Sequence, residues 1–207
     1  MNKRTPDSQE ASSDNRPLAY FLTFSCYGVR LHGDERGSVD RDRNAFDTPF
    51  IDSQPAREKA ERKRMKQDQY PLDEHRRVVL RDTVQEVCAH RVWRLLALHI
   101  RANHVHVVLQ GDTEPDSMLN DFKRYGSRNL NEKGFDESDR KRWAYHGSTK
   151  YLWNPDNVQN AIRYTLHKQG EPMETFLHPG LNDLSFESYD NRKNPRLRRF
   201  LLDFWSD

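Results

Sequence analysis

The sequence predicts an α+β fold in which an antiparallel sheet carries helices on one face. Three observations lead to this prediction. The aromatic segment 18–27 has the composition of a strand. Two further strand-like segments, 95–100 and 104–110, are separated by only three residues, as in a hairpin. Segments with helical periodicity lie before and after this hairpin.

The predicted elements follow one another in an order that is typical of a small layered domain. They are a strand over 18–27, a helix over 82–93, the hairpin over 95–110, a helix over 115–134, a strand over 149–153 and a helix over 154–169. This order suits a ferredoxin-like, or RNA-recognition-like, sheet with one open face.

The composition limits the size of the hydrophobic core and indicates the cellular compartment. Only 34% of the residues are hydrophobic and 32% are charged, and the net charge of +2 does not by itself indicate nucleic-acid binding. Cys26 and Cys88 have neither zinc-motif spacing nor the number needed for a disulfide framework, which favours a reducing cytoplasm. Because no apolar run is long enough to span a membrane, we expect a cytoplasmic protein without a membrane partner.

The chain is expected to have three parts. Residues 1–17 are polar and are predicted to be a disordered tail, residues 18–176 form the domain, and residues 177–207 form an extension. The extension ends in a basic and aromatic helix over 196–205, which has enough apolar residues to dock on the domain or on a second subunit. The Arg-rich segment 57–64 is a helix candidate that we interpret first as a solvated face and second as a DNA contact.

Two histidines mark the second strand of the hairpin. His104 and His106 are two residues apart, and side chains with that spacing share one face of a strand. Both imidazoles could therefore bind one divalent ion and leave positions open for water or phosphate oxygens. His99, on the preceding strand, is expected on the same face. The alternative is that these histidines are ordinary polar residues of a solvent-facing strand.

Tyr164 lies off the apolar stripe of its predicted helix. His167 and Lys168 share its side of the helical wheel. A helical tyrosine usually packs with its hydroxyl at the rim of the core. Beside a metal-binding pair, however, its oxygen could attack phosphorus and hold a broken DNA strand covalently.

The outer face of helix 115–134 carries Lys123, Arg124 and Arg128. Arg124 and Arg128 are four residues apart and project from one side of the helix. This patch suits DNA phosphates, but solvated helices often carry similar residues, and the sequence leaves both interpretations open.

These features together resemble the single-tyrosine HUH transposases, which include insertion-sequence enzymes and the REP-associated tyrosine transposases. The resemblance extends from about Tyr20 to Phe176 and includes Tyr164, about sixty residues after His104. The local patterns that carry it are Asn103-His104-Val105-His106-Val107-Val108, Gly33-Asp34-Glu35-Arg36-Gly37, Tyr151-Leu152-Trp153, Arg163-Tyr164 and Gln169-Gly170-Glu171-Pro172-Met173.

The resemblance implies Mg²⁺ or Mn²⁺ bound by His104 and His106, and attack by Tyr164 on hairpin-bearing single-stranded DNA through a 5′-phosphotyrosine. The family typically has Gln or Asn as a third ligand four residues after the tyrosine, where this chain has Lys168. We prefer His167 as the third ligand, with Gln169 as the alternative if the helix unwinds before the following glycine. Lys168 is then a candidate contact to the scissile phosphate.

Three functions are compatible with the sequence. The first is a strand transferase that cleaves and rejoins single-stranded DNA, which the presence of Tyr164 and both histidines favours. The second is a non-catalytic module that binds single-stranded nucleic acid by stacking bases on aromatic side chains. The third is a metal-dependent hydrolase using His99, His104 and His106, which the lack of a carboxylate at useful spacing disfavours. The sequence leaves open whether the chain acts as a homodimer.

Overall fold

The computed structural model describes residues 16–29, 55–184, 186 and 194–206. Its strands are β1 (Ala19–Cys26), β2 (Arg94–Ile100), β3 (His104–Gln110), β4 (Trp143–Leu152) and β5 (Glu174–Leu177). Its helices are α1 (Pro55–Arg64), α2 (Glu74–His90), α3 (Pro115–Glu132), α4 (Pro155–His167) and α5 (Pro195–Asp203). The predicted tail up to residue 15 and the pattern at 33–37 lie outside the described residues.

The strands form a single antiparallel sheet in the order β4-β1-β3-β2-β5, which confirms the predicted α+β class. The central strand, β3, pairs with β1 on one side and with β2 on the other. In this register His106 is opposite Thr23 in β1 and opposite His99 in β2. The histidine segment therefore lies at the middle of the sheet, where both neighbouring strands fix its position.

Helices cover both faces of the sheet, whereas the sequence predicted helices on one face. One core cluster lies under α2 and α3 and includes Val107 and Phe122. A second cluster lies under α4 and α5 and includes Val108, Ile162 and Leu197. The sheet has apolar side chains on both faces, so each face buries surface against helices. The face that carries the histidines is thus only partly open.

A bulge in β2 contributes to the second cluster. The register of β2 against β3 shifts between Leu95 and Ala97. As a result Leu96 packs in the cluster under α4, while Leu98 packs in the cluster under α2 and α3. A bulge inserts one extra residue and so changes which face a side chain occupies.

Two elements begin well before their predicted starts, and one strand was not predicted. α2 begins eight residues before the predicted start, where Asp73 accepts a hydrogen bond from the backbone N–H of Arg76 at 2.9 Å. β4 begins earlier than predicted, and the short edge strand β5 was not predicted. The C-terminal helix α5 docks on the domain through the fully buried Leu197 and Leu201. In the described part of the chain no helix is long and apolar enough to cross a membrane.

A buried charge cluster ties the loop before β4 to the start of α2. The Asp136 carboxylate accepts hydrogen bonds from Arg76 at 2.8 Å, from Arg142 at 3.1 Å and from the Tyr70 hydroxyl at 2.5 Å. Burial alone would raise the pKa of Asp136, but these three donors outweigh it and hold the pKa below its usual value. The same burial, together with the bond to Asp136, raises the pKa of Tyr70 to about 12.

We expect Asp136→Asn to destabilise the fold by about 3 kcal/mol at pH 7, because it leaves the buried Arg142 guanidinium without its counterion. A carboxylate whose pKa is lowered on folding contributes stability above its unfolded value, near 3.9, and loses it as the pH falls through the folded value. The free energy of unfolding, measured with urea, should therefore fall less below about pH 4 in the variant than in the wild type. Asp139→Asn, an exposed carboxylate of the same loop, is the control. Equal unfolding free energies for wild type and Asp136→Asn would contradict this account.

Candidate functional site

His104 and His106 lie side by side on the face of β3 that α4 partly covers. Their ring centroids are 4.7 Å apart. The Nε2 atoms of His104 and His106 lie 3.4 Å and 3.1 Å from the same atom, Oε1 of Gln169. The strand period thus brings both imidazoles together, and their outer nitrogens converge on one point.

Two polar neighbours orient these rings. Nδ1 of His104 lies 2.6 Å from Oδ1 of Asn103, and Nδ1 of His106 lies 2.8 Å from the Thr23 hydroxyl. An amide oxygen can only accept, so Nδ1 of His104 carries the proton and its Nε2 keeps a lone pair. The Thr23 hydroxyl can accept in the same way from His106. Such partners are the usual means by which a protein orients imidazole ligands.

Gln169 reaches the pair because α4 ends two residues before it. The helix stops at His167, Lys168 has φ −119° and ψ 19°, and Gly170 has φ +77°. Gln169 donates its amide N–H to the backbone oxygen of Tyr164 at 3.4 Å, which turns its own oxygen towards the histidines. The structure therefore brings Gln169, the alternative, to the pair, and leaves the preferred residue, His167, exposed in the last helical turn. The helical wheel treats residues beyond the end of α4 as if they were still helical. For that reason it favoured His167 over Gln169.

Tyr164 stands at the rim of the histidine pair. Its ring centroid lies 5.6 Å from that of His106 and 5.9 Å from that of Phe21, which itself stacks on His106 at 5.4 Å. The side chain of Tyr164 is 45% exposed. Its ring is thus held by neighbours while the residue stays accessible to a large substrate. Tyr20 and Tyr151, by contrast, contact each other on the opposite face of the sheet.

His99 shares the face of the pair, as predicted, but it is not available as a ligand. It is fully buried, and its Nδ1–H donates to the backbone oxygen of Thr165 at 2.8 Å. Its Nε2 accepts the backbone N–H of Met173 at 3.2 Å. Burial, with a smaller effect of Arg101, lowers the pKa of His99 despite its bond to Thr165, so the ring is neutral. This observation removes one ligand from the hydrolase hypothesis.

The donors that the described residues bring to the histidine pair are neutral groups. Across residues 16–29, 55–184, 186 and 194–206, no group of three His, Cys, Asp or Glu residues is placed to hold a metal ion. The converging donors at the pair are two imidazole nitrogens and one amide oxygen. Among the described residues, Gln169 is the third group that could donate to a cation at this point.

Of the basic residues predicted to contact DNA, Lys123 has a different role. Its ammonium donates to the backbone oxygens of Ala144, Tyr145 and His146 at 2.9, 3.3 and 3.3 Å. Burial lowers its pKa, which a nearby aspartate only partly offsets. Lys123 therefore anchors β4 to α3, and its ammonium is already engaged by backbone oxygens.

The remaining three basic residues are accessible. Arg124 and Arg128 are 65% and 67% exposed and form ion pairs along α3 with Asp121 and Glu132. α3 lies on the face of the sheet opposite the histidine pair. Lys168 is exposed and directly precedes Gln169 in the chain. The roles of Thr23, Asn103 and Phe21 at the site were not predicted. The pairing of β1 with β3 is the signal that would have identified Thr23.

Two solved structures are similar to this chain. One is a REP-associated tyrosine transposase bound to a REP hairpin, which is 11% identical and has a TM-score of 0.41, with 81% of this chain and 72% of that chain covered. The other is a proposed transposase from Deinococcus radiodurans R1, which is 13% identical and has a TM-score of 0.38, with 73% and 92% covered. Likeness at this level assigns no residue a role. No curated protein matches the sequence significantly.

A family model described as "Transposase IS200 like" matches residues 61–156. The matched segment runs from α1 to the first turn of α4 and contains the β2–β3 hairpin with His104 and His106. It ends before Tyr164 and Gln169, so the match assigns neither residue a role. Over this segment, which is somewhat less than half of its length, the chain is similar to the IS200-like transposases.

Proposed function

We propose that the protein cleaves and rejoins single-stranded DNA through a covalent 5′-phosphotyrosine on Tyr164. The observation that carries this proposal is the convergence of His104, His106 and Gln169 on one point, with Tyr164 at its rim. The match of residues 61–156 to a transposase family model supports DNA as the substrate. The half-exposed phenol is accessible to a DNA strand that lies across this face of the sheet.

The donor set fits a divalent cation, and we propose Mn²⁺ or Mg²⁺. Imidazole suits first-row transition ions and a carbonyl oxygen suits Mg²⁺ and Mn²⁺, so the mixture favours Mn²⁺. His104, His106 and Gln169 would hold the ion, and Asn103 and Thr23 would orient the two imidazoles. A bound cation would withdraw charge from the phosphate oxygens and from the attacking oxygen.

The protein groups perform the remaining steps of the proposed reaction. The Tyr164 oxygen forms a bond to phosphorus, loses its proton to solvent, and the bond from phosphorus to the 3′ oxygen breaks. The released 3′ oxygen takes up a proton, and the 5′ phosphate stays on the tyrosine. Attack by an incoming 3′ hydroxyl reverses these steps and rejoins a strand. Packing against Phe21 and His106 orients the phenol, which reduces the entropic cost of the attack.

A binding module without catalysis is the second candidate. The observation that favours it is an exposed aromatic pair, Tyr151 and Trp153, whose rings are nearly parallel at 14° with centroids 6.2 Å apart. Such a pair could stack on bases. It lies on the opposite face of the sheet from Tyr164, so binding there and cleavage at the pair can be separated by mutation.

Tyr164→Phe should abolish the covalent protein–DNA adduct and leave DNA binding and stability unchanged. The substitution deletes only the attacking oxygen and keeps the ring that packs on Phe21. Denaturing gels with single-stranded hairpin DNA labelled at its 3′ end would detect the adduct, since the protein is expected on the 5′ end of the 3′ fragment. Tyr151→Phe is the matched control, because Tyr151 is also 45% exposed. An adduct that persists in Tyr164→Phe would refute the assignment, and binding without any adduct in the wild type would favour the second candidate.

Gln169→Ala should weaken Mn²⁺ binding by about tenfold or more, whereas His167→Ala should leave it nearly unchanged. His104→Ala or His106→Ala should abolish cleavage, since each removes a donor from the converging set. Mn²⁺ affinity can be followed by electron paramagnetic resonance, and cleavage by its metal concentration dependence. A larger effect of His167→Ala than of Gln169→Ala would restore His167 as the third ligand.

We propose that Lys168, Arg124 and Arg128 contact DNA phosphates. The ion pairs of Arg124 and Arg128 are exposed, and exposed pairs are weak enough for phosphates to replace them. Lys168→Glu should reduce the slope of log affinity against log salt by about 0.7, and Arg124→Glu with Arg128→Glu by about 1.4. Fluorescence anisotropy with labelled single-stranded DNA measures this slope. A slope that the double variant leaves unchanged would assign that face of α3 to solvent.

A further inference from the structure

His99 joins the sheet to the chain on both sides of Gln169. The residue is fully buried in β2. One ring nitrogen binds the backbone oxygen of Thr165, just after Tyr164, and the other binds the backbone N–H of Met173, four residues after Gln169. The segment between these two anchors contains the exposed end of α4 and the turn that follows it.

Each bond satisfies a backbone group that would otherwise lack a partner. The Thr165 oxygen is among the last carbonyls of α4, which have no intrahelical donor because the helix ends at His167. The Met173 N–H precedes β5 and accordingly has no place in the strand ladder. A neutral imidazole has one donor and one acceptor, so His99 is suited to both groups at once. Loss of either bond would leave a polar group near the core unsatisfied.

A second side chain of the same strand end holds the turn. Arg101 donates from Nη1 to the backbone oxygen of Glu171 at 2.6 Å. Gly170 takes φ +77° at the turn, a conformation that other residues rarely adopt. His99 is also opposite His106 in the sheet register. The anchors of the turn are therefore attached to the strand next to the histidine pair.

We propose that His99 is a positioning residue, which holds Tyr164 through its bond to Thr165 and Gln169 through its bond to Met173. This proposal rests on the function proposed above. It assigns a separate consequence to each ring nitrogen: the Nδ1 bond sets the position of the nucleophile, and the Nε2 bond sets the position of the third metal ligand. A residue that merely filled the core would not divide its effects in this way.

Two amide substitutions separate the two bonds. In His99→Asn the side-chain N–H can occupy the place of Nδ1–H and keep the bond to Thr165, but the side chain is too short to reach Met173. In His99→Gln the side-chain oxygen can occupy the place of Nε2 and keep the bond to Met173, without a donor for Thr165. We expect His99→Asn to lower Mn²⁺ affinity about tenfold with little change in the cleavage rate at saturating Mn²⁺. We expect His99→Gln to lower that cleavage rate by about tenfold or more with little change in Mn²⁺ affinity.

The measurements are Mn²⁺ binding to the protein without DNA, single-turnover cleavage at saturating Mn²⁺, and hydrogen exchange at the Met173 amide without metal. Exchange at this amide should be faster in His99→Asn than in His99→Gln. Arg101→Met, at a partly exposed position, should lower Mn²⁺ affinity and leave the rate of single-turnover cleavage unchanged. This variant provides a test if a His99 variant does not fold. His178→Asn, a substitution of a histidine remote from the pair, is the control.

Equal changes in affinity and rate in both His99 variants would overturn the proposal and reduce His99 to a packing residue. Unchanged Mn²⁺ affinity in both His99→Asn and Arg101→Met would also overturn it. Failure of the proposed function is distinct, because the wild type would then bind no Mn²⁺ or form no adduct. Unchanged hydrogen exchange at Met173 in His99→Asn would refute the anchoring even if the wild type proved active.

Discussion

The pairing of β3 with its two neighbours is the constraint on which the site depends. His104 and His106 face α4 because Val105 and Val107 are buried against α2 and α3 on the other side. A slip of one residue in the register would exchange these two sets of side chains. It would also separate His106 from Thr23, its partner in β1. The apolar core under α2 and α3 therefore determines the position of the two imidazoles, because it sets the register of β3.

The end of α4 is the second determinant of the site. The buried stripe of this helix, which includes Val158 and Ile162, fixes its rotation and directs Tyr164 to the rim. The helix then ends at His167, and Gln169 reaches the histidines from the turn that follows. The rotation of α4 thus places Tyr164 at the site, and the end of α4 places Gln169 there, although the two residues are only five positions apart.

Local periodicity predicted much of this arrangement from the sequence. The strand period placed His104 and His106 on one face, and the helical period placed Tyr164 off the apolar stripe. The details that the sequence did not predict depend on where each helix or strand ends and on which other elements it packs against. Gln169 lies past a helix end, and the side chains of Lys123 and His99 are hydrogen-bonded to backbone groups of distant segments. No local pattern contains that information, because those contacts form only when α3 meets β4 and α4 meets β2.

If the site has the proposed function, the neutral character of its three donors would suit it to phosphate. Two imidazoles and an amide carry no negative charge, so they would leave the full charge of a bound cation to act on its other ligands. A carboxylate in the same place would neutralise part of that charge and repel an approaching phosphate. Gln169 therefore differs in kind from an aspartate or glutamate at the same position, although each offers an oxygen. A DNA phosphate would then be the anion that completes the site, and the phenol of Tyr164 lies at the edge where such a phosphate would arrive.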